Sequence, residues 1–82
     1  MADLSDKARS ILAFAAYHSL TSGEEVREVV LDDGAGHKAD HEGVEALERA
    51  GLIEADGARG RFTPAGQEVL TKLLSAIRGV SA

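Results

Sequence analysis

The stretch LERAGLIEADGARGRFTPAG, from Leu47 to Gly66, decides how the chain is built. Leu47, Leu52 and Ile53 are apolar, and Gly51 stands where a helix should stop. Glycine enters the left-handed conformation at no steric cost, so a helix ending near Ala50 can turn sharply there. Leu52 to Ala55 then reads as a short strand, and Asp56-Gly57 with Gly60 close behind reads as a tight connection. Arg61 to Thr63 is the returning strand. Thr63-Pro64 is a helix start, a capping hydroxyl followed by proline at the first helical position, where its missing N–H costs nothing. Helix, hairpin and helix therefore follow one another within this one stretch.

Working outward, the last helix is predicted from Pro64 to Arg78. Val69, Leu70, Leu73, Leu74 and Ile77 form one stripe, with Glu68, Thr71, Lys72, Ser75 and Arg78 on the other side. Before the hairpin, a helix is predicted from Lys38 to Ala50, with Val44, Leu47 and Gly51 facing inward. Lys38, Glu42, Glu45 and Arg49 fall on its opposite face, with His41 at the margin. Glu45 and Arg49 stand four apart with the acid first, the favourable order for an intrahelical pair. Further back, Ser22 and Glu25 have capping-box spacing. Val26, Val29 and Val30 then give the apolar face of a short helix ending before Gly34, although the β-branched run VREVVL also allows a strand. Residues 4–20 carry helix spacing in Leu4, Ala8, Ile11, Leu12, Ala15 and Ala16. Phe14 and Tyr17 lie outside that stripe, either packed by a second side of the same domain or extending onto a dimer interface.

Eighty-two residues imply one domain spanning 1–82. A chain of this size buries only roughly 60–65% of its unfolded surface, which favours an efficient core or one shared with a second copy, hence a homodimer. Apolar residues make up 44% of the chain, enough for a folded core. No apolar run approaches the ~20 residues of a membrane span, and no basic-then-apolar leader is present. Without cysteine, disulfides and thiolate metal sites are excluded, and the expected compartment is the cytoplasm. The net charge of −5 is concentrated in residues 21–50, where nine acids face Arg27, Lys38 and Arg49 for a net of −6.

The expected class is mainly α with a small β-hairpin, in the order helix, helix, helix, hairpin, helix. That order, with the exit LERAGLI and the re-entry FTPAG, resembles the winged helix-turn-helix module of MarR-like and PadR-like bacterial transcriptional regulators. The resemblance implies DNA binding, with the helix Lys38–Ala50 in the major groove and Arg59 and Arg61 of the wing on the backbone. The chemistry of that helix departs from the pattern. DNA carries one negative charge per ~1.7 Å of its axis, so affinity rests largely on Lys and Arg. Base readout uses Arg, Lys, Asn or Gln. This helix offers Lys38 and Arg49 against Glu42 and Glu45, with Asp40, His41 and Glu48 at the edges, and it contains no Asn, Gln, Ser or Thr.

Other chemistry is weaker. His37 and His41, among Asp32, Asp33 and Asp40, have no fixed third ligand and read as solvated histidines. His18 reads as a capping or packing residue. No nucleophile motif or phosphate-cradling loop is present, so no catalytic residue, cofactor or metal is expected. Three readings stay open: a DNA-binding regulator, a winged helix turned to binding a basic protein as adaptor, anti-repressor or DNA mimic, and a domain of a larger assembly or with a small-molecule role. For the first two the contact residues are Lys38, His41, Glu42, Glu45, Arg49, Arg59 and Arg61, with Phe14 and Tyr17 at the dimer interface.

Overall fold

The structure, a computed structural model, describes residues 4–32, 34, 36 and 38–80. Among these, three helices and one three-stranded antiparallel sheet follow in the order α1 (Asp6–Ser22), β1 (Glu28–Val30), α2 (His41–Arg49), β2 (Ile53–Asp56), β3 (Arg59–Phe62) and α3 (Pro64–Gly79). The spatial strand order is β1-β3-β2.

The stretch 47–66 is closed by its own backbone. The Leu52 N–H donates to the Leu47 carbonyl and the Gly51 N–H to the Glu48 carbonyl, both at 3.0 Å. This is the Schellman pattern of a helix end, and it requires the left-handed residue found at Gly51, φ +74°. Gly51 itself is solvent-exposed rather than inward-facing, while Leu47 is fully buried and Val44 half-buried. Thr63 joins the two ends of the stretch. Its N–H donates to the Leu52 carbonyl at 3.0 Å, its Oγ1 donates to the Gly51 carbonyl at 2.6 Å, and that same oxygen accepts from the Gly66 N–H at 3.0 Å. A β-carbon at Gly66 would stand 1.8 Å from the Leu52 carbonyl oxygen, so α3 starts hard against the turn that leaves α2.

The segment between α1 and α2 departs from expectation. Among the described residues of 26–34 no helix forms; Glu28–Val30 is instead β1, paired with β3 in the register Glu28↔Arg61, Val29↔Gly60 and Val30↔Arg59. The structure thus has a strand where the second of four helices was expected. The physical reason lies in the β-branched valines: Val29 is buried beneath the sheet, and β3 supplies a ladder that a short valine helix could not match. Ser22 and Glu25 make no capping box. The Ser22 hydroxyl accepts from the Glu24 N–H at 3.3 Å within the turn at Gly23, where α1 ends. Glu25 reaches α3 instead, where Thr71 Oγ1 lies 2.6 Å from its carboxylate. Gln67 Nε2 donates both to that carboxylate and, at 2.8 Å, to the Val26 carbonyl. Buried Ser19 completes the strap, its hydroxyl donating to the Ala15 carbonyl and accepting from the Val26 N–H.

The core lies between the helices and the inner face of the sheet. Leu47, Leu52, Leu70 and Leu74 are its largest fully buried side chains, with Ile11 and Leu12 of α1 and Ile53 and Phe62 of the sheet around them. Burying each leucine contributes roughly 1.5–3 kcal/mol relative to exposure. The helices α1 and α2 approach through small residues: a β-carbon at Gly43 would meet the Lys7 carbonyl oxygen at 2.7 Å. Among the described residues no helix is long and apolar enough to cross a membrane.

Candidate interaction surface

Two outward surfaces carry the charged residues singled out above, the exposed face of α2 and the outer face of the sheet. Helix α2 begins later than expected, at His41, because Asp40 is its N-cap and accepts from the Glu42 N–H at 2.9 Å. Lys38 therefore lies outside the helix, in a backbone bridge with Asp32 that closes the connection from β1. The exposed side chains of α2 are His41, Glu42, Glu45, Glu48 and Arg49.

Their pairing differs from expectation. Glu45 is engaged by His41, Nε2 to Oε1 at 2.9 Å, and not by Arg49. Lys7 reaches across from α1 to the start of α2, 3.3 Å from Glu42 and 3.6 Å from Asp40. Its hydrogen bond to Glu42, backed by the charge of Asp40, raises the Lys7 pKa above its ordinary value. Partial desolvation works against the Asp40 charge, but the Glu42 amide, Lys7 and the Gly43 amide together hold that carboxyl below its usual range. Lys7 thus offsets part of the acidity around the helix N-terminus, while Glu45 and Glu48 remain on the face with Arg49 as the helix's own cation.

On the sheet, side chains alternate between faces, so Arg59 and Arg61 point outward from the central strand while Gly60 and Phe62 point inward. Arg59 Nη1 lies 2.7 Å from Glu28 Oε1. Arg61 stands in register between Glu28 on β1 and Glu54 on β2 and, among the described residues, forms no ion pair. The sheet's outer face therefore alternates acid, base and acid across its three strands. Arg27 joins Arg61 along a cleft of about 350 Å³ that also touches Thr63 and Gln67 at the start of α3.

Three of these contributors were not singled out from the sequence: Lys7, Arg27 and Glu28. The Lys7–Glu42 and Glu28–Arg59 pairs span 35 and 31 residues, a separation at which no local spacing signal exists. Of the two residues expected at a dimer interface, Tyr17 is 60% exposed while Phe14 is half-buried with its ring edge-on to His18 at 4.6 Å. His37 and Asp33 lie outside the described residues. Among the described residues no group of three His, Cys, Asp or Glu side chains is placed to hold a metal ion. Comparison with family models, with curated proteins and with solved structures finds no match.

Proposed function

We propose that the chain is a winged-helix-type regulatory module that acts by binding, without a catalytic step, and that its α2 surface meets a basic protein partner rather than DNA. The hairpin β2–β3 takes the place of the wing, and α2 that of the recognition helix in the MarR-like and PadR-like regulators the sequence resembles. The β1 strand stands where those modules' first helix of the helix-turn-helix was expected. One observation carries the choice of partner. The face that would enter a groove presents Glu42, Glu45 and Glu48 against Arg49, and of the two wing cations Arg59 is already held by Glu28 at 2.7 Å while Arg61 stands in register between Glu28 and Glu54. Phosphate binding draws on free Lys and Arg, whereas an acidic face favours a basic partner and sets its approach rate.

A DNA reading keeps one specific support: Arg27 and Arg61 share a cleft, and Arg59 lies on the same strand as Arg61. One double variant separates the two readings, Glu42→Gln with Glu45→Gln. Titrated with a polylysine peptide, it should bind more weakly and associate more slowly than the parent chain. Titrated with mixed-sequence duplex DNA, it should bind more tightly if DNA is the ligand. In that case Arg59→Ala with Arg61→Ala should also lower the salt slope by about 2, roughly one unit for each phosphate contact. Tighter DNA binding by the Gln variant, with polylysine binding unchanged, would overturn the protein reading.

The same module is proposed to pair with a second copy of itself. Tyr17 and Leu20 on α1, Ile77 on α3 and Val80 at the cap of α3 leave large apolar side chains exposed. Sedimentation at high micromolar concentration should show a dimer, and a monomer there would remove this part of the proposal.

A further inference from the structure

The β1 strand lies at the edge of the sheet, and among the described residues no segment pairs with its outer side. Hydrogen bonds on either side of it set the alternation. The Phe62 N–H donates to the Arg27 carbonyl, and the Leu31 N–H donates to the Ala58 carbonyl. In an antiparallel ladder hydrogen-bonded and non-bonded pairs alternate, so residues 27 and 29 turn their backbone groups toward β3, as does the Leu31 N–H. Glu28 and Val30 therefore turn theirs outward, and among the described residues no hydrogen bond from another segment reaches them. Two clefts run along that open side between β1 and α1, and both touch Val30. One, about 470 Å³, is lined by Ile11 and Phe14 of α1 with Val29. The other, about 550 Å³, is lined by His18, by Glu24, Glu25 and Glu28, and by Arg27 and Arg59.

We infer that this open edge accepts a short extended peptide segment as a fourth strand, with a basic side chain facing Glu28 and an apolar one facing Val29. An added strand gains main-chain hydrogen bonds from Glu28 and Val30, and its alternate side chains fall on opposite faces. The side chain opposite Val29 points inward, into the cleft walled by Ile11 and Phe14, and so is apolar. The side chain opposite Glu28 points outward, over the cleft in which Glu24, Glu25 and Glu28 outnumber Arg27 and Arg59 even with Arg59 on the Glu28 carboxylate, and so is basic; opposite charges across a ladder are favourable. The segment 38–39 folds back at the far end, with the Ala39 N–H on the Leu31 carbonyl at 2.6 Å, so the guest strand is short. This edge is separate from the α2 surface, and its occupancy does not depend on the choice between DNA and protein there.

The test uses the full chain and an acetylated, amidated heptapeptide of alternating valine and lysine, followed through the amide signals of residues 26–32. The expected result is saturable shifts at Glu28 and Val30 at peptide concentrations of about 1 mM or below. Two further peptides carry N-methyl groups on either the lysine or the valine backbone nitrogens. In a strand only one of these sets faces β1, so one peptide should bind about tenfold or more weakly and the other should keep its affinity. Glu28→Lys should invert the preference toward a peptide with glutamate in place of lysine. Equal binding by both N-methylated peptides, or no shift at Glu28 and Val30, overturns the inference. Signals at Glu28 and Val30 that move with protein concentration before any peptide is added would place a second copy on this edge, and would also overturn it.

Discussion

Two connections of similar length join the helices, residues 23–40 between α1 and α2 and residues 50–63 between α2 and α3, and they are held in different ways. The second closes on itself. Gly51, Thr63 and Gly66 form a ring of backbone and hydroxyl contacts in which each residue has one geometry that works. The first is held from outside, by β3 on one side and by Gln67 and Thr71 of α3 on the other. Self-closing segments depend on single residues. Segments held by distant partners spread their stability over many weak contacts, so single changes there should matter less.

The comparison is tested most severely at Gly66. A β-carbon there would overlap the Leu52 carbonyl oxygen at 1.8 Å and press on the Phe62 ring at 3.1 Å. Gly66→Ala should cost more than about 4 kcal/mol or prevent folding, a size reserved for a few mechanisms of which steric overpacking is one. Chemical denaturation measures it; a loss under about 1 kcal/mol, the ordinary size for a point change, would mean that α3 is not fixed to the end of α2.

The next effects come from Thr63 and Gly51. Thr63→Val keeps the shape but removes a hydroxyl that both caps α3 and holds the Gly51 carbonyl, so a loss of about 1–3 kcal/mol is expected. A β-carbon at Gly51 would meet no neighbouring atom within 4 Å, so the cost of Gly51→Val falls chiefly on the strain of φ +74°. That cost should exceed about 1 kcal/mol, since a β-branched residue resists the left-handed region. Unchanged thermal stability in Gly51→Val would detach the helix end from the glycine. By contrast, Ser22→Ala, where α1 passes into the outward-held connection, should stay within about 0.5 kcal/mol, since no helix depends on that hydroxyl for its N-cap. A loss near 1 kcal/mol, the typical size for a helix N-cap, would restore the helical capping role that the structure denies it.

This division also explains what was legible in the residues. Gly51, Thr63 and Pro64 mark their roles by local chemistry, and the α2 end, the hairpin and the α3 start all lie within two residues of where that chemistry puts them. The segment 26–30 carries two local signals in conflict: capping-box spacing favours a helix, and consecutive β-branched residues favour a strand. The arbiter, β3, is some thirty residues away in the chain, and nothing local announces it. The interaction surface fared likewise. The exposed face of α2 follows from helical periodicity, but the engagement of Arg59 by Glu28 and of Glu42 by Lys7 follows from tertiary placement.

The smallest effect sharpens the comparison through pH. In the outward-held connection Glu25 is the main polar tie to α3. Hydrogen bonds from Thr71, then Gln67, hold its carboxyl below the ordinary value of 4.5. A carboxyl with a lowered folded-state pKa adds stability that is fully present above its unfolded value and is lost as pH falls through the folded value. Glu25→Gln keeps an acceptor oxygen but removes the charge, so at pH 7 the variant should melt slightly below the parent chain. As pH falls below about 4.5 and the parent's carboxyl takes up its proton, the two melting curves should converge. The Thr63→Val deficit involves no ionisable group and should persist across the same range. If the Glu25→Gln difference were independent of pH, the strap would rest on shape and neutral hydrogen bonds alone, and the contrast between the two connections would lose its electrostatic part.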